Sequence, residues 1–194
     1  MKKIIFYSLS ASLTILLLIS CEKPTRGKVT NKWNVIFDTE EIDGFTSVDN
    51  SITSNRFIID KDGTWSWNKS GSTSGVVFGG SVFLTNKKAL TQRGTWSFIQ
   101  KTKGDDFKKN ERILFNILFE SSVASQTGGG NNPAFPDTTI TDSHTYLTGE
   151  KAMIYTITHS TRKELWMESE SLHVNSSNGQ VSSKKVRLRL EANK

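Results

Sequence analysis

The chain has 194 residues, a formal charge of +6, 23% charged and 10% aromatic residues, and one cysteine. A single cysteine excludes an intrachain disulfide, and a modest, dispersed basic excess does not support nucleic-acid binding but suits anionic lipid or glycan surfaces. Asp105, Asp106 and Glu111 interrupt the densest basic cluster (Lys101, Lys103, Lys108, Lys109, Arg112), which reads as a solvated loop.

The first predicted element is a secretory signal. Lys2 and Lys3 form a positive start, Ile4 to Ile19 are apolar, and small Ser20 precedes Cys21. The ending Leu18-Ile19-Ser20-Cys21 resembles the lipobox of bacterial lipoproteins, which implies cleavage before Cys21 and lipidation of its sulfur. The alternative is a free thiol beside an uncleaved signal anchor. Cleavage would remove two lysines and leave 174 residues with a charge of +4, enough for one well-packed domain. Glu22 follows the cysteine, and no acidic run succeeds it. That favours the periplasmic face of an outer membrane. The predicted organisation is a signal over 1–20, a polar lipidated tether over 21–30 containing Pro24 and Gly27, and one domain over 31–194.

The domain reads as strands from its beginning. Trp33, Val35 and Phe37 alternate with Asn34, Ile36 and Asp38 along one strand. Arg56 to Asp60 is a short apolar run, and Asp62-Gly63 supplies a turn before Trp65 and Trp67. Val76 to Leu84 is broken by Gly79-Gly80, a bulge, bend or turn signal. Thr95 to Gln100 puts Trp96 and Phe98 on one face. Arg112 to Phe119 is the most apolar strand. Ser121 to Ser143 reads as a long irregular stretch, either a passive loop or a lid containing Phe135. Ala152–Thr158, Glu164–Val174 and Ser182–Glu191 complete the set. In the last, Val186, Leu188 and Leu190 oppose Lys185, Arg187, Arg189 and Glu191, as in a half-buried antiparallel strand. The expected fold is all-β, a single antiparallel up-and-down barrel of about eight to ten strands, with a β-sandwich as the runner-up.

Two strands open alike, Asp62-Gly63-Thr64-Trp65-Ser66-Trp67 and Arg93-Gly94-Thr95-Trp96-Ser97-Phe98. Both predict a turn glycine followed by two aromatics on one face. With the early Asn31-Lys32-Trp33 and the late Lys163-Glu164-Leu165-Trp166, their order resembles the lipocalin-like lipoproteins of bacterial envelopes, especially the Bacteroidetes type. Asn31 stands where lipocalins carry glycine. Thr141-Asp142-Ser143-His144-Thr145-Tyr146 matches a second lipocalin motif only in part, with Ser143 in place of a tyrosine. The resemblance implies a small barrel with an apolar cavity. It also suggests a late-strand Arg187 or Arg189 over the first-strand tryptophan, although their alternation points to solvent.

No reaction is legible. His144, His159 and His173 lack metal-ligand spacing, and Gly128-Gly129-Gly130 lacks the residues of a phosphate loop. No nucleophile elbow is present, and Glu168 and Glu170 share a face with Trp166 that reads as solvent-exposed. The expectation is therefore a membrane-anchored, non-enzymatic binding protein without cofactor or metal. Cys21 would carry the lipid, and Trp33, Trp65, Trp67, Trp96, Phe98 and Phe135 would contact a small apolar or amphipathic ligand. The alternative is an envelope scaffold with a filled barrel that docks a protein partner.

Overall fold

A computed structural model describes residues 25–48, 50–77, 82–128, 136–174 and 179–193. Cys21, the signal, Gly79-Gly80 and Phe135 lie outside the described residues. One helical turn, α1 (Arg26–Val29), leads into ten strands. They are β1 (Asn31–Ile42), β2 (Phe45–Ser47), β3 (Ile52–Ile59), β4 (Thr64–Val77), β5 (Val82–Ile99), β6 (Arg112–Thr127), β7 (Thr138–Thr145), β8 (Ala152–Ser160), β9 (Glu164–Val174) and β10 (Val181–Ala192). All pairings are antiparallel, in the order β10-β9-β8-β6-β5-β4-β3-β1. β1 also pairs with β10, so eight strands close an up-and-down barrel, with β2 and β7 added outside the ring. The expected architecture is the observed one.

Among the described residues, one end of the barrel is closed. That end gathers α1, the β3–β4, β5–β6 and β8–β9 connections, and the end of β10. Asn31 Nδ2 donates to the Arg162 carbonyl, Trp96 N–H to Gly63, and Asn193 N–H to Lys32, tying these segments together. Towards the other end the wall splits twice. β1 pairs with β3 only over Asn31–Asn34, then with β2 from Glu40. β6 pairs with β8 over Arg112–Asn116, then with β7 from Phe119. β9 meets β8 only up to Glu168. Two curved walls therefore flare apart above a closed base, one built from β3 to β7 and the other from β9, β10, β1 and β2.

The base is filled by apolar side chains. Trp33, Phe57, Ile59, Ile113, Phe115, Ile117, Leu165, Met167, Leu188 and Leu190 are all at most 1% exposed, and Val29 of α1 closes the bottom. Segment 25–30, expected as tether, thus contributes to the core. Phe115 stands at the centre, its ring edge-on to Phe57 at 5.2 Å, Trp65 at 5.2 Å and Tyr155 at 6.0 Å. The outer wall around this core carries exposed or half-exposed Arg56, Asn68, Arg93, Glu168, Arg187 and Arg189. A membrane-spanning barrel has the reverse arrangement, with an apolar band outside and a polar lumen.

Three local expectations are corrected. A bulge between Val35 and Phe37 reverses the alternation of β1, so Asp38 lies beside its β10 partner Leu188 on the inner face while Phe37 turns outward, 39% exposed. The consecutive apolar residues Val35-Ile36-Phe37 were the visible sign that a strict alternation was breaking. The Ser121–Ser143 stretch is mostly a continuation of β6 and the whole of β7 up to Ser143, paired from Phe119/Thr145 to Gln126/Thr138. Every residue of β7 is exposed, so no burial pattern marks it as a strand. The twin Gly-Thr-Trp-Ser motifs also differ: Gly63 makes the turn at φ +96°, whereas Gly94 sits within β5 at a bulge.

Candidate binding cleft

Above the aromatic base, polar side chains cross the barrel. The inner face of β4 carries Trp65, Trp67 and Lys69 in succession, and cross-strand pairing puts Phe57 beside Trp67 and Asn55 beside Lys69. Trp67 Nε1–H donates to Asn55 Oδ1 at 2.6 Å. Asn55 Nδ2 donates to Asp38, whose carboxylate also takes the Lys69 ammonium. Lys69 Nζ lies 3.9 Å from the centre of the Trp67 ring, closing the circuit. Next to it, Gln92 pairs with Trp67 across β4–β5 and donates to Glu120, while Lys151 Nζ reaches Glu120 Oε1 at 2.8 Å and Tyr146 Oη at 3.4 Å. Buried Tyr155, its hydroxyl at 3.8 Å from Met153 Sδ, has its pKa pushed strongly up by burial and, secondarily, by Asp38.

Burial pushes the Glu120 carboxyl up, but bonds from Lys151 and Gln92 and the lysine charge outweigh it, holding the group below the ordinary 4.5. A lowered folded pKa gives stability that is complete above the ordinary value and lost as pH falls through the folded one. Glu120→Gln is therefore expected to cost about 1.5–2 kcal/mol at neutral pH, in the lower part of the range for hydrogen bonds to charged groups. The gap from wild type should close as pH drops below 4.5, which urea unfolding at stepped pH will read. A pH-independent gap would assign the loss to packing.

Where β1 leaves β3, a cleft of about 340 Å³ opens in the wall. Val35, Ile36 and Phe37 form one side, Ile52, Thr53 and Ser54 the other, with Val48 and Asn50 at the rim. Asp38, Asn55 and Lys69 lie at the inner end, Asp38 and Lys69 being 24% and 21% exposed. The site joins an apolar side to a polar inner end with one ion pair, and its volume lies near the low end for small-ligand sites, about 300 Å³.

The aromatics read as ligand contacts occupy a different place. Trp33, Trp65, Trp67 and Trp96 are buried at 1–5% exposure within the core cluster, against which Phe98 packs. Their indole N–H groups are satisfied internally: Trp33 by the Val29 carbonyl, Trp65 by Asn116, Trp96 by Asp60 and Trp67 by Asn55. Trp67 alone among them contacts the polar residues of the cleft. Asp38, Asn55, Lys69, Gln92, Glu120 and Lys151 were not singled out as site residues, because each reads as an ordinary surface residue until the strands are paired; bulges turn Asp38 and Glu120 inward.

On the outer wall, Arg189 lies over Phe37 and Trp166, at 5.1 and 4.7 Å from the ring centres, rather than over the interior Trp33. Glu168 pairs with Lys185 at 3.1 Å, and Glu41 with Arg187 at 2.8 Å. His144 contacts Asp142, and His159 contacts Glu164 and the Trp166 ring. Among the described residues no three His, Cys, Asp or Glu converge as a metal site.

No family model matches the chain, and no curated protein matches it. Similar solved structures are two of Ail, the attachment invasion locus protein of Yersinia pestis. One, in complex with the heparin analogue sucrose octasulfate, is 10% identical with a TM-score of 0.33, covering 82% of this chain and 94% of that one. The other is 9% identical with a TM-score of 0.29, covering 82% and 93%.

Proposed function

We propose that this chain is a lipocalin-like envelope lipoprotein, lipidated at Cys21, that holds one small amphipathic molecule in the cleft between β1 and β3. The observation that carries the reading is the composition of the cleft: apolar Val35, Ile36, Phe37 and Ile52 lead to the Asp38–Lys69 pair. A ligand with an apolar body and a polar head matches both ends. The apolar interior and charged exterior support a barrel surrounded by water and held to a membrane by its lipid. The role is binding rather than catalysis, since the polar groups of the cleft already satisfy one another. A specific observation favours the filled-barrel scaffold as a second reading: the aromatic base leaves the indole donors no need of a ligand.

The test is native mass spectrometry and lipid extraction of the protein purified from membranes. The expected results are an acylated N-terminus at Cys21 and a bound small molecule that Ser54→Trp, filling the exposed side of the cleft, displaces. A molecule retained unchanged by Ser54→Trp would move the site elsewhere. No bound molecule over repeated preparations would favour the scaffold. An unmodified Cys21 would refute the anchor.

A further inference from the structure

We infer that the closed end of the barrel is a membrane-facing surface that lies on anionic lipid, so that the split mouth and its cleft point away from the bilayer that anchors the protein. This rests on the proposed lipidation of Cys21. Three residues separate Cys21 from Thr25, and the four Cα-to-Cα steps between them span at most about 14 Å. Thr25 enters α1 at the closed base, where Arg26 stacks 5.2 Å from the Trp96 ring. The lipid therefore holds that end close to the headgroups. β10 has 12 residues, and at about 3.3 Å per residue and a barrel tilt near 40° it sets the mouth about 30 Å farther out.

The charge distribution agrees with this orientation. Segments 25–32, 60–63, 100–112, 161–164 and 191–193, which form the closed end, contain eleven Lys and Arg against seven Asp and Glu. That excess of four equals the whole net charge expected of the chain after loss of residues 1–20. Three of the seven acidic side chains there are engaged in local turns. Asp62 accepts from Thr64 N–H at 2.9 Å and its hydroxyl at 2.7 Å, Asp105 accepts from the Thr102 backbone and hydroxyl, and Glu111 accepts from Lys108 N–H at 2.6 Å. Lys61, Lys101, Lys103, Lys109, Arg162 and Lys163 are exposed. In the mouth half, three lysines are held by carboxylates, Asp38–Lys69, Glu120–Lys151 and Glu40–Lys184, while Lys87 and Lys88 of β5 are exposed. A basic face beside an acyl anchor is the two-signal arrangement that fixes a protein against an anionic surface. It also makes the cleft accessible to molecules arriving from the aqueous side.

The experiment uses the purified full-length lipoprotein in phosphatidylcholine vesicles with or without phosphatidylglycerol. A fluorophore is placed at Lys103→Cys on the closed end or at Ser74→Cys on the mouth, and headgroup-nitroxide lipid is the quencher. At least threefold stronger quenching at position 103 than at 74 is expected with phosphatidylglycerol. The ratio should fall towards one in the variant Lys61→Glu/Lys101→Glu/Lys109→Glu/Arg162→Glu. Equal quenching, or stronger quenching at 74, overturns the orientation. Protein found without lipid on Cys21 refutes the anchor alone, because the basic face should still bind phosphatidylglycerol vesicles and quench position 103. Failure of that binding while the quadruple variant loses affinity for heparin would assign the face to an anionic polysaccharide and overturn the membrane reading.

Discussion

Replacing Phe115 with alanine is expected to lower the unfolding free energy by about 3–5 kcal/mol, the range for large aromatic truncations in a packed core. Phe115 is fully buried and touches Phe57, Trp65 and Tyr155 in edge-to-face geometry. The change removes the apolar transfer energy of the ring, leaves a cavity, and deletes three ring contacts, each adding about 0.5–1.5 kcal/mol beyond area. The neighbours cannot collapse easily, because Trp65 is held by its bond to Asn116 and Trp96 by its bond to Asp60. For a domain of this size the melting temperature should fall by roughly 10 °C. Leu172→Ala is the matched control. Leu172 is 77% exposed, and its loss should stay within about 0.5 kcal/mol. Urea unfolding with an unchanged slope reads both. Comparable losses at the two positions would contradict an aromatic base as the centre of stability.

Phe115 also illustrates how far the sequence could be read. The alternation of Ile113, Phe115 and Ile117 marks a strand with one buried face, and that face is the core. The same rule worked for Leu188 and Leu190, and the closed all-β architecture followed from such segments. It failed where both faces of a strand are wet. The start of β5, with Asn86, Lys87 and Lys88 exposed, and the whole of β7 lie near the flared mouth, so burial writes no pattern into them. Asp38 failed for another reason: one inserted residue reverses every subsequent side chain, and only tertiary pairing with β10 shows where the insertion falls. The cleft is built from that bulge together with the parting of β1 from β3. Its residues were legible as types but not as neighbours. The tryptophans were legible as buried aromatics; that they fill the base rather than line a cavity depends on how many rings share one level.

The same distinction between residue type and placement gives the second large effect. Gly94→Ala is expected to cost about 3 kcal/mol or more, beyond ordinary overpacking. A β-carbon at Gly94 would stand 1.8 Å from the Asn116 carbonyl oxygen and 3.1 Å from the Leu118 nitrogen, all backbone of β6. No side-chain rotation can relieve contact with a strand backbone. The pairing must open where it shifts from Arg93/Phe119 to Gly94/Ile117. That shift aligns Trp96 with Phe115 below and Gln92 with Glu120 above, so its loss strikes the aromatic base and the polar layer together. Gly63→Ala, in the twin motif, meets only the Trp96 carbonyl oxygen at 3.8 Å and is strained solely by its φ of +96°. Its cost should be about 1 kcal/mol, the usual scale for glycine conformational freedom. Denaturant unfolding separates the two, and a second measurement separates mechanism from magnitude. The acid-dependent stability assigned to Glu120 should persist in full in Gly63→Ala and shrink in Gly94→Ala, because only the latter displaces Gln92 from the carboxylate, which Lys151 still holds. Equal costs with the pH dependence intact in both would mean that β5 and β6 do not need the close approach at Gly94.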